Sequence, residues 1–400
     1  MTSGDVTTQG PGGASGGSPG GQLPQWSTLP NPTRRPMLRR ALTIGVAASV
    51  FLMCLLVLLG ILGERLTTQT LVTAALTAVI PLLVIVPTFL WLDRYEAEPA
   101  RYIVFAVLWG ALVAVVGAFF LNTYGLKLLV EARWTDPLET GAVYLAPVTE
   151  ETLKGLGILL IYLLRRREFD GIIDGIVYAG LIGAGFAFSE NILYLGQALN
   201  EYGSEGLTST FLVRGLMGPF AHPLFTSMTG IGIGIAATAR RPSTRVVAIV
   251  VGWGCAMLLH HLWNLSAIAG LEGFFQAYVT YQVPIFLAFI GFLLWLRRRE
   301  GRLIGQYLSP YADAGWLTHA EVVMLSHLRL RRAAREWARQ NGGRPAKHSM
   351  HAFQDSASDL ALLRSRLVRG TAEEGATQRE MVLLQAITAH RRGFIGSPVT

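Results

Sequence analysis

Long apolar stretches between residues 41 and 296 constrain this sequence more than any other feature. Each has about 20 residues, which is enough for a helix to cross a hydrocarbon core of about 30 Å. Hydrophobic residues make up 51% of the 400-residue chain and charged residues only 15%, and the charges fall mainly between the stretches. This pattern predicts an all-α, polytopic bundle of about eight transmembrane helices. The expected spans are 41–63, 69–92, 101–121, 143–164, 172–198, 209–237, 246–268 and 277–296.

The basic residues between the stretches indicate the orientation of the spans. Alternate connectors carry arginine clusters, such as residues 165–167, whereas the others carry only Arg65, Lys127 and Arg133. Arginine-rich connectors of membrane proteins usually lie in the cytoplasm. We therefore expect a multi-pass protein of the cell membrane with both termini cytoplasmic. Because the net charge of +8 resides at the span ends rather than on one polar face, it indicates topology and does not predict a nucleic-acid partner.

Composition divides the chain into three regions. Residues 1–40 are rich in Gly, Ser, Thr and Pro and end in arginines, so we expect a disordered, basic-ended tail. Residues 41–300 form the membrane domain. Residues 301–400 are more polar and show amphipathic periods, which predicts a small helical cytoplasmic region whose arginines could meet anionic lipid or a soluble partner. Cys54 and Cys255 lie in apolar stretches and are read as small apolar side chains.

Four consecutive predicted spans contain ionisable or polar side chains. Such groups are costly in a bilayer, about 2.5 to 3.5 kcal/mol each, and usually face a bundle interior or a watered cavity. At about 1.5 Å per residue, the acids and imidazoles lie about 10 to 20 Å from the outer ends of their spans, so we expect them in one layer. The residues are Glu150, Glu151 and Lys154 in the fourth span, Glu190 in the fifth, Arg214 and His222 in the sixth, and His260, His261 and Asn264 in the seventh.

Spacing within the helices predicts a shared face. Three pairs are four residues apart and therefore stack on one side of a helix. His261 is turned about 100° from His260, so His260 is expected to face the common centre. Glutamate and histidine together can activate water, either through a carboxylate base or through a metal that lowers the pKa of the water. The pairs are Glu150 with Lys154, Phe186 with Glu190, and His260 with Asn264.

Other polar groups have supporting roles in this hypothesis. Lys154 can neutralise one of the two adjacent acids, which otherwise repel each other. Asn264 can donate to an oxyanion. A purely structural reading remains open for the same residues, in which the acids form ion pairs with Lys154 or Arg214 that only tie helices together. Arg214 is expected to snorkel or to tie helices.

The ordered set of residues resembles the motifs of a known family. Glu150-Glu151-Thr-Leu-Lys154 resembles the EExxK motif of PrsW-type intramembrane proteases, and Phe186-Ala-Phe-Ser-Glu190 resembles their FxxxE motif. His222-Pro-Leu-Phe-Thr and His260-His-Leu-Trp-Asn264 are similar to their two later histidine motifs. The resemblance covers about residues 70 to 300. The family is similar to the wider clan of CaaX-processing and bacteriocin-processing proteases.

The resemblance implies both an activity and residue roles. The family cleaves membrane-embedded or membrane-proximal segments of membrane-anchored partner proteins, typified by anti-sigma factors. Carried over by position, Glu150 or Glu151 would be the general base, with Lys154 and Phe186 in support. Metal or water would be positioned by His222 and His260, with Glu190 as a further ligand or orienting acid and Asn264 as oxyanion donor. The implied metal is zinc or another divalent ion, although a glutamate-dependent protease without metal also stays open.

Two other functional classes fit an intramembrane set of acids and histidines. A transporter or proton relay uses such residues to carry ions, usually through the full depth of the membrane. A non-catalytic scaffold would keep the fold and bind other spans. The predicted confinement of the acids to one layer favours the protease over the relay.

Overall fold

The computed structural model describes residues 34–96, 98–165, 169, 171–372 and 374–395, with side chains from residue 44 onward. The predicted disordered tail over residues 1–33 and the arginines at 166 and 167 lie outside these residues. The chain divides into two compact units, Met1–Ser49 and Val50–Thr400. In the first unit the structure describes only the beginning of the first helix.

The described residues contain helices and turns but no strand. The helices are α1 (Arg34–Arg65), α2 (Thr68–Leu92), α3 (Ala100–Leu108), α4 (Val115–Glu131), α5 (Pro137–Thr140), α6 (Ala146–Leu164), α7 (Ile172–Phe211), α8 (Ala221–Thr238), α9 (Pro242–Ile268), α10 (Gly270–Ala277), α11 (Val283–Asp313), α12 (His319–Ser326), α13 (Leu328–Arg369) and α14 (Ala376–Ile395). Short π-helical turns lie at Trp109–Ala114, Gly141–Leu145, Leu212–Met217 and Tyr278–Gln282.

Six described segments are long and apolar enough to cross a membrane, which confirms an all-α membrane protein. One of them, Ile172–Thr238, has 67 residues and at about 1.5 Å per residue exceeds a single crossing several-fold. Within it, Gly203 leaves helical geometry, with φ 64° and ψ −149°. Helix α6 is not among the six and carries three charged residues. The number of eight spans therefore stays a prediction. The six segments are Ile44–Arg65, Thr68–Leu92, Ala100–Glu131, Ile172–Thr238, Pro242–Ile268 and Gly270–Asp313.

The first half of helix α7 is largely buried and packs against α8 at backbone distance. Every side chain over residues 174–187 is buried. A Cβ atom added at Gly175 would lie 2.0 Å from the carbonyl oxygen of Gly230, and one added at Gly183 would lie 2.8 Å from the carbonyl carbon of His222. Only glycine permits this approach. These glycines therefore set the distance between α7 and α8, and with it the position of His222.

The residues after 300 form a second apolar core at the end of α11. Helix α11 continues through the predicted domain limit at residue 300, and helices α12 to α14 pack around its last turns. Tyr95, from the connection between α2 and α3, joins this core and donates its hydroxyl to the carbonyl oxygen of Ser326 at 2.9 Å. The buried Arg331 donates to Ser358 Oγ at 2.8 Å, and burial lowers the pKa of its guanidinium to about 10. The cytoplasmic location of this region stays a prediction.

Candidate active site

Helix α6 supplies two acids and a lysine from its second and third turns. Glu150, Glu151 and Lys154 are all buried. The Nζ of Lys154 lies 2.8 Å from Glu151 Oε1 and 3.4 Å from Glu150 Oε2. The ammonium group of Lys154 thus lies between the two carboxylates. Its positive charge reduces the repulsion between them in this buried site. The three residues share one side of the helix, as their spacing predicts.

The two predicted histidines reach this group from α8 and α9. His260 places its Nδ1 3.0 Å from Glu151 Oε1 and its Nε2 3.8 Å from Glu150 Oε2. His222 places its Nδ1 3.0 Å from the Nζ of Lys154. The imidazole centroids are 5.1 Å apart and their planes are nearly perpendicular. Helices α6, α8 and α9 therefore converge on one buried polar centre.

The contacts of the imidazoles determine their tautomers. An ammonium only donates, so the Nδ1 of His222 accepts from Lys154 and its Nε2 carries the proton. That Nε2 lies 2.9 Å from Glu190 Oε2, which accepts the hydrogen bond. His260 in turn donates from Nδ1 to Glu151, which leaves its Nε2 as the nitrogen with a free lone pair.

Helix α7 adds Glu190 and an arginine partner to the centre. Arg214, in the π-helical turn before α8, donates to Glu190 and also donates from Nε to Asn191 Oδ1 at 2.7 Å. Its guanidinium stacks over the ring of Tyr194 at 4.1 Å. Arg214, which was expected to snorkel or to tie helices together, thus has Glu190 of α7 as its partner. We call Glu150, Glu151, Lys154, Glu190, His222 and His260 the polar cluster.

Aromatic and hydroxyl side chains surround the polar cluster. Phe186 places its ring centroid 3.7 Å from the Nζ of Lys154, a cation–π contact. Thr226 donates to Glu151 Oε2 at 3.0 Å, and Phe225 stacks on His260 at 5.3 Å. Sequence reasoning did not assign a role to Thr226, although its position four residues after His222 places both on one face of α8.

Asn264 and His261 bond to the chain segment before α6. Asn264 is half-buried and donates from Nδ2 to the carbonyl oxygen of Ala142 at 2.9 Å. His261 lies 2.9 Å from the carbonyl oxygen of Val143. Both carbonyls belong to the π-helical turn Gly141–Leu145. These bonds hold α9 beside the start of α6. The oxyanion role of Asn264 stays a prediction, because its described hydrogen bond uses the amide elsewhere.

A cavity of about 180 Å³ adjoins the polar cluster and has room for water and for part of a peptide. Its mostly apolar walls come from α1, α4 and α7, and both Glu150 and Glu190 line it. Glu151 does not line it, and both of its oxygens already accept hydrogen bonds. The cavity therefore gives a reactant access to Glu150 and Glu190, and Glu151 lies behind them.

Comparison with known proteins agrees with this arrangement. A family model described as PrsW family intramembrane metalloprotease matches residues 98–289, which include the whole polar cluster. Residues 98–289, just under half of the chain, therefore match the PrsW family. The PrsW-type motifs predicted from the sequence lie in this segment. No solved structure gives a significant match to this chain.

Several curated PrsW proteins are similar to the chain. Protease PrsW of Geobacillus kaustophilus (strain HTA426) is 30% identical over 147 residues, 37% of this chain and 59% of that protein. Protease PrsW of Clostridioides difficile (strain 630) is 31% identical over 123 residues, 30% of this chain and 49% of that protein. Protease PrsW of Oceanobacillus iheyensis is 25% identical over 210 residues, 52% of this chain and 85% of that protein. The chain thus spans about half to three-fifths of the first two relatives.

The PrsW family is described as metalloproteases, and the polar cluster has a donor set that fits a metal ion. One ligand atom each of Glu150, His222 and His260 lies within 4.8 Å of the others. Donors around tetrahedral zinc lie roughly 3.4 Å apart, so the three side chains would have to move closer together. His222 would also have to release one ring nitrogen, either from Lys154 or from Glu190, to bind the metal. The bond from His260 Nδ1 to Glu151 is the carboxylate support typical of metal-binding histidines. The resemblance implied Glu190 as a further ligand or an orienting acid, and that role stays a prediction. In the structure Glu190 pairs with Arg214 and lies 2.9 Å from His222 Nε2.

Proposed function

We propose that this chain is an intramembrane protease that hydrolyses a peptide bond in or beside the membrane span of a partner protein. One observation carries the proposal: four helices place three acids and two imidazoles around a buried centre that meets a cavity. Groups of this kind activate water for attack on a carbonyl. The relatives named as proteases support the same reading.

The contacts favour different roles for the two adjacent acids. We assign Glu150 as the acid that takes a proton from water, because it lines the cavity and its described contacts use only Oε2. The water oxygen then attacks the peptide carbonyl, and the proton passes to the leaving amine. Glu151, with both oxygens engaged, holds His260 in its orientation. Glu190 holds His222 in the same way.

We further propose that His222, His260 and the Oε2 of Glu150 hold a divalent metal, which would leave the Oε1 of Glu150 to take the proton from water. Zinc is the expected ion because imidazole and carboxylate suit it. When bound, the metal supplies a Lewis acid that polarises a carbonyl and makes water more acidic. Lys154 would compensate the negative charge of the surrounding carboxylates. Phe186 would shield the ammonium group of Lys154 from lipid.

The topology and substrate belong to the same proposal. We infer that both termini lie in the cytoplasm, as the arginine pattern predicts, and that the polar cluster lies in the outer half of the membrane. The substrate would then be a membrane-anchored protein cut near its outer side, with an anti-sigma factor as the example implied by the family resemblance. A transporter or a silent scaffold is not favoured, because the similar proteins are named as proteases.

Co-expression with a tagged single-span protein tests the proposal. We expect Glu151→Ala and His260→Ala to abolish the shorter product, whereas Glu131→Gln, at an exposed acid outside the polar cluster, should cleave normally. Immunoblotting of membranes for both the enzyme and the product separates loss of activity from loss of protein. Undiminished cleavage by both cluster variants would remove the proposal.

A further inference from the structure

The cavity beside the polar cluster reaches the bundle surface along α1. Its wall on α1 consists of Leu58, Ile61 and Leu62, and its wall on α4 includes Thr123. Ile61 is half-buried and Thr123 is exposed, so the space continues to the outside between these helices. Glu150 lines the same cavity. A continuous path therefore joins the gap between α1 and α4 to the acid assigned to water.

Helix α1 does not approach its neighbours as closely as α7 and α8 approach each other. An added Cβ at Gly60 or Gly63 would meet no atom within 4 Å. At Gly183 of α7, the same addition would lie 2.8 Å from the backbone of α8. The glycines of α7 thus mark backbone packing, whereas those of α1 face open space. Gly60 and Gly63 are exposed and do not contact the bundle.

A single narrow stripe holds α1 to the bundle. The buried residues of its second half are spaced four apart, and the side chains between them are largely exposed. In a bilayer, moving these side chains from the bundle into lipid costs little free energy, because the acyl chains that they then contact are as apolar as leucine. At the end of α1, Asn200 Nδ2 donates to the carbonyl oxygen of Arg65 at 3.1 Å, which fixes that end. The stripe is Cys54, Leu58, Leu62 and Leu66.

We propose that the gap between α1 and α4 is the lateral entrance for the substrate, and that α1 moves aside from its fixed end to admit an apolar membrane-spanning segment. This route rests on the proposed protease function and adds where the substrate enters. The substrate that enters here is a membrane-spanning segment of another protein rather than a soluble peptide. The walls of the cavity on α1 are apolar, and they lie on the side of the bundle that would face lipid.

The inner end of the entrance suits a span that unwinds near its cut. An unwound backbone exposes amides and carbonyls that must find hydrogen bonds inside the bilayer. Asn122 and Ser189 line the cavity together with Glu150 and Glu190. Apolar walls nearer lipid and polar groups nearer the acids match a chain that is helical at one end and extended at the other.

Photocrosslinking tests the route independently of turnover. A benzoylphenylalanine residue placed at Ile61 or Thr123 in a Glu150→Gln background should crosslink a single-span substrate in vesicles. The same probe at Val247, an exposed position on a separate apolar groove between α8 and α9, is the matched control and should not. Crosslinks at Val247 with none at the entrance would overturn the proposal.

Filling the entrance with larger side chains is a second test of the route. We expect Ile61→Trp and Thr123→Trp to lower cleavage about a hundredfold, since misplacing the scissile bond by about 1 Å costs that much. Val247→Trp should retain wild-type cleavage. Ile61 is half-buried and Thr123 is exposed, so folding should tolerate the larger side chains, and thermal unfolding checks this. Wild-type cleavage by both entrance variants would refute the route but keep the protease, whereas an inactive wild-type enzyme would refute the protease.

Discussion

Replacing Gly183 by alanine would test whether the close packing of α7 and α8 positions His222. The new Cβ would lie 2.8 Å from the carbonyl carbon and oxygen of His222 and from the Cα of Pro223. Carbon atoms in contact prefer about 3.5 Å, so α8 must retreat by roughly 0.7 Å at His222. Because a displacement of about 1 Å costs about a hundredfold in rate, we expect kcat to fall roughly thirtyfold or more.

Gly254→Ala is the matched control for this perturbation. Gly254 lies in α9, six residues before His260, and an added Cβ there meets no atom within 4 Å. Alanine should leave activity unchanged and add about 1 kcal/mol of helix stability. The assay is the initial rate of cleavage of a single-span substrate by purified enzyme, with thermal unfolding measured in parallel. A Gly183→Ala enzyme with the wild-type rate would refute the claim that α7 places His222.

Three further predictions follow from the described contacts. Thr226→Val removes one hydrogen bond to the Glu151 carboxylate, and we expect kcat to fall about tenfold, for a loss of about 1.5 kcal/mol, with KM nearly unchanged in steady-state assays. A chelator should abolish cleavage, and added zinc should restore it; elemental analysis should find less bound metal in His260→Ala, and full activity in the apo enzyme would contradict the metal site. Arg331→Ala should lower the unfolding free energy by about 3 kcal/mol, whereas Arg331→Met, which keeps the volume without a buried charge, should cost clearly less in chemical denaturation.

The sequence was sufficient to predict the helical membrane fold and the composition of the polar cluster. Apolar stretches of span length indicated the helices, and four-residue spacing placed Glu150 and Lys154 on one face, as the structure shows. The choice of His260 over His261 also follows from the turn of the helix, and only His260 contacts the acids of α6. These features depend on local periodicity, which a single sequence contains.

Contacts between helices could not be predicted in the same way. Spacing alone gave Asn264 the same face as His260, yet its amide bonds to the carbonyl of Ala142, a group freed by a π-helical turn. The pairing of Glu190 with Arg214 likewise depends on how α7 and the turn before α8 meet. The engagement of both oxygens of Glu151, which separates its role from that of Glu150, depends on groups from three helices.

Mass spectrometry of reaction products tests most directly whether the polar cluster activates water for proteolysis within the membrane. Purified enzyme and a single-span substrate would be reconstituted in vesicles without other proteins, and the new chain ends would be identified. Wild-type enzyme should yield one cut within or beside the span of the substrate, and Glu150→Gln should yield none. Equal cleavage by Glu150→Gln, or a cut confined to a soluble domain of the substrate, would contradict the account.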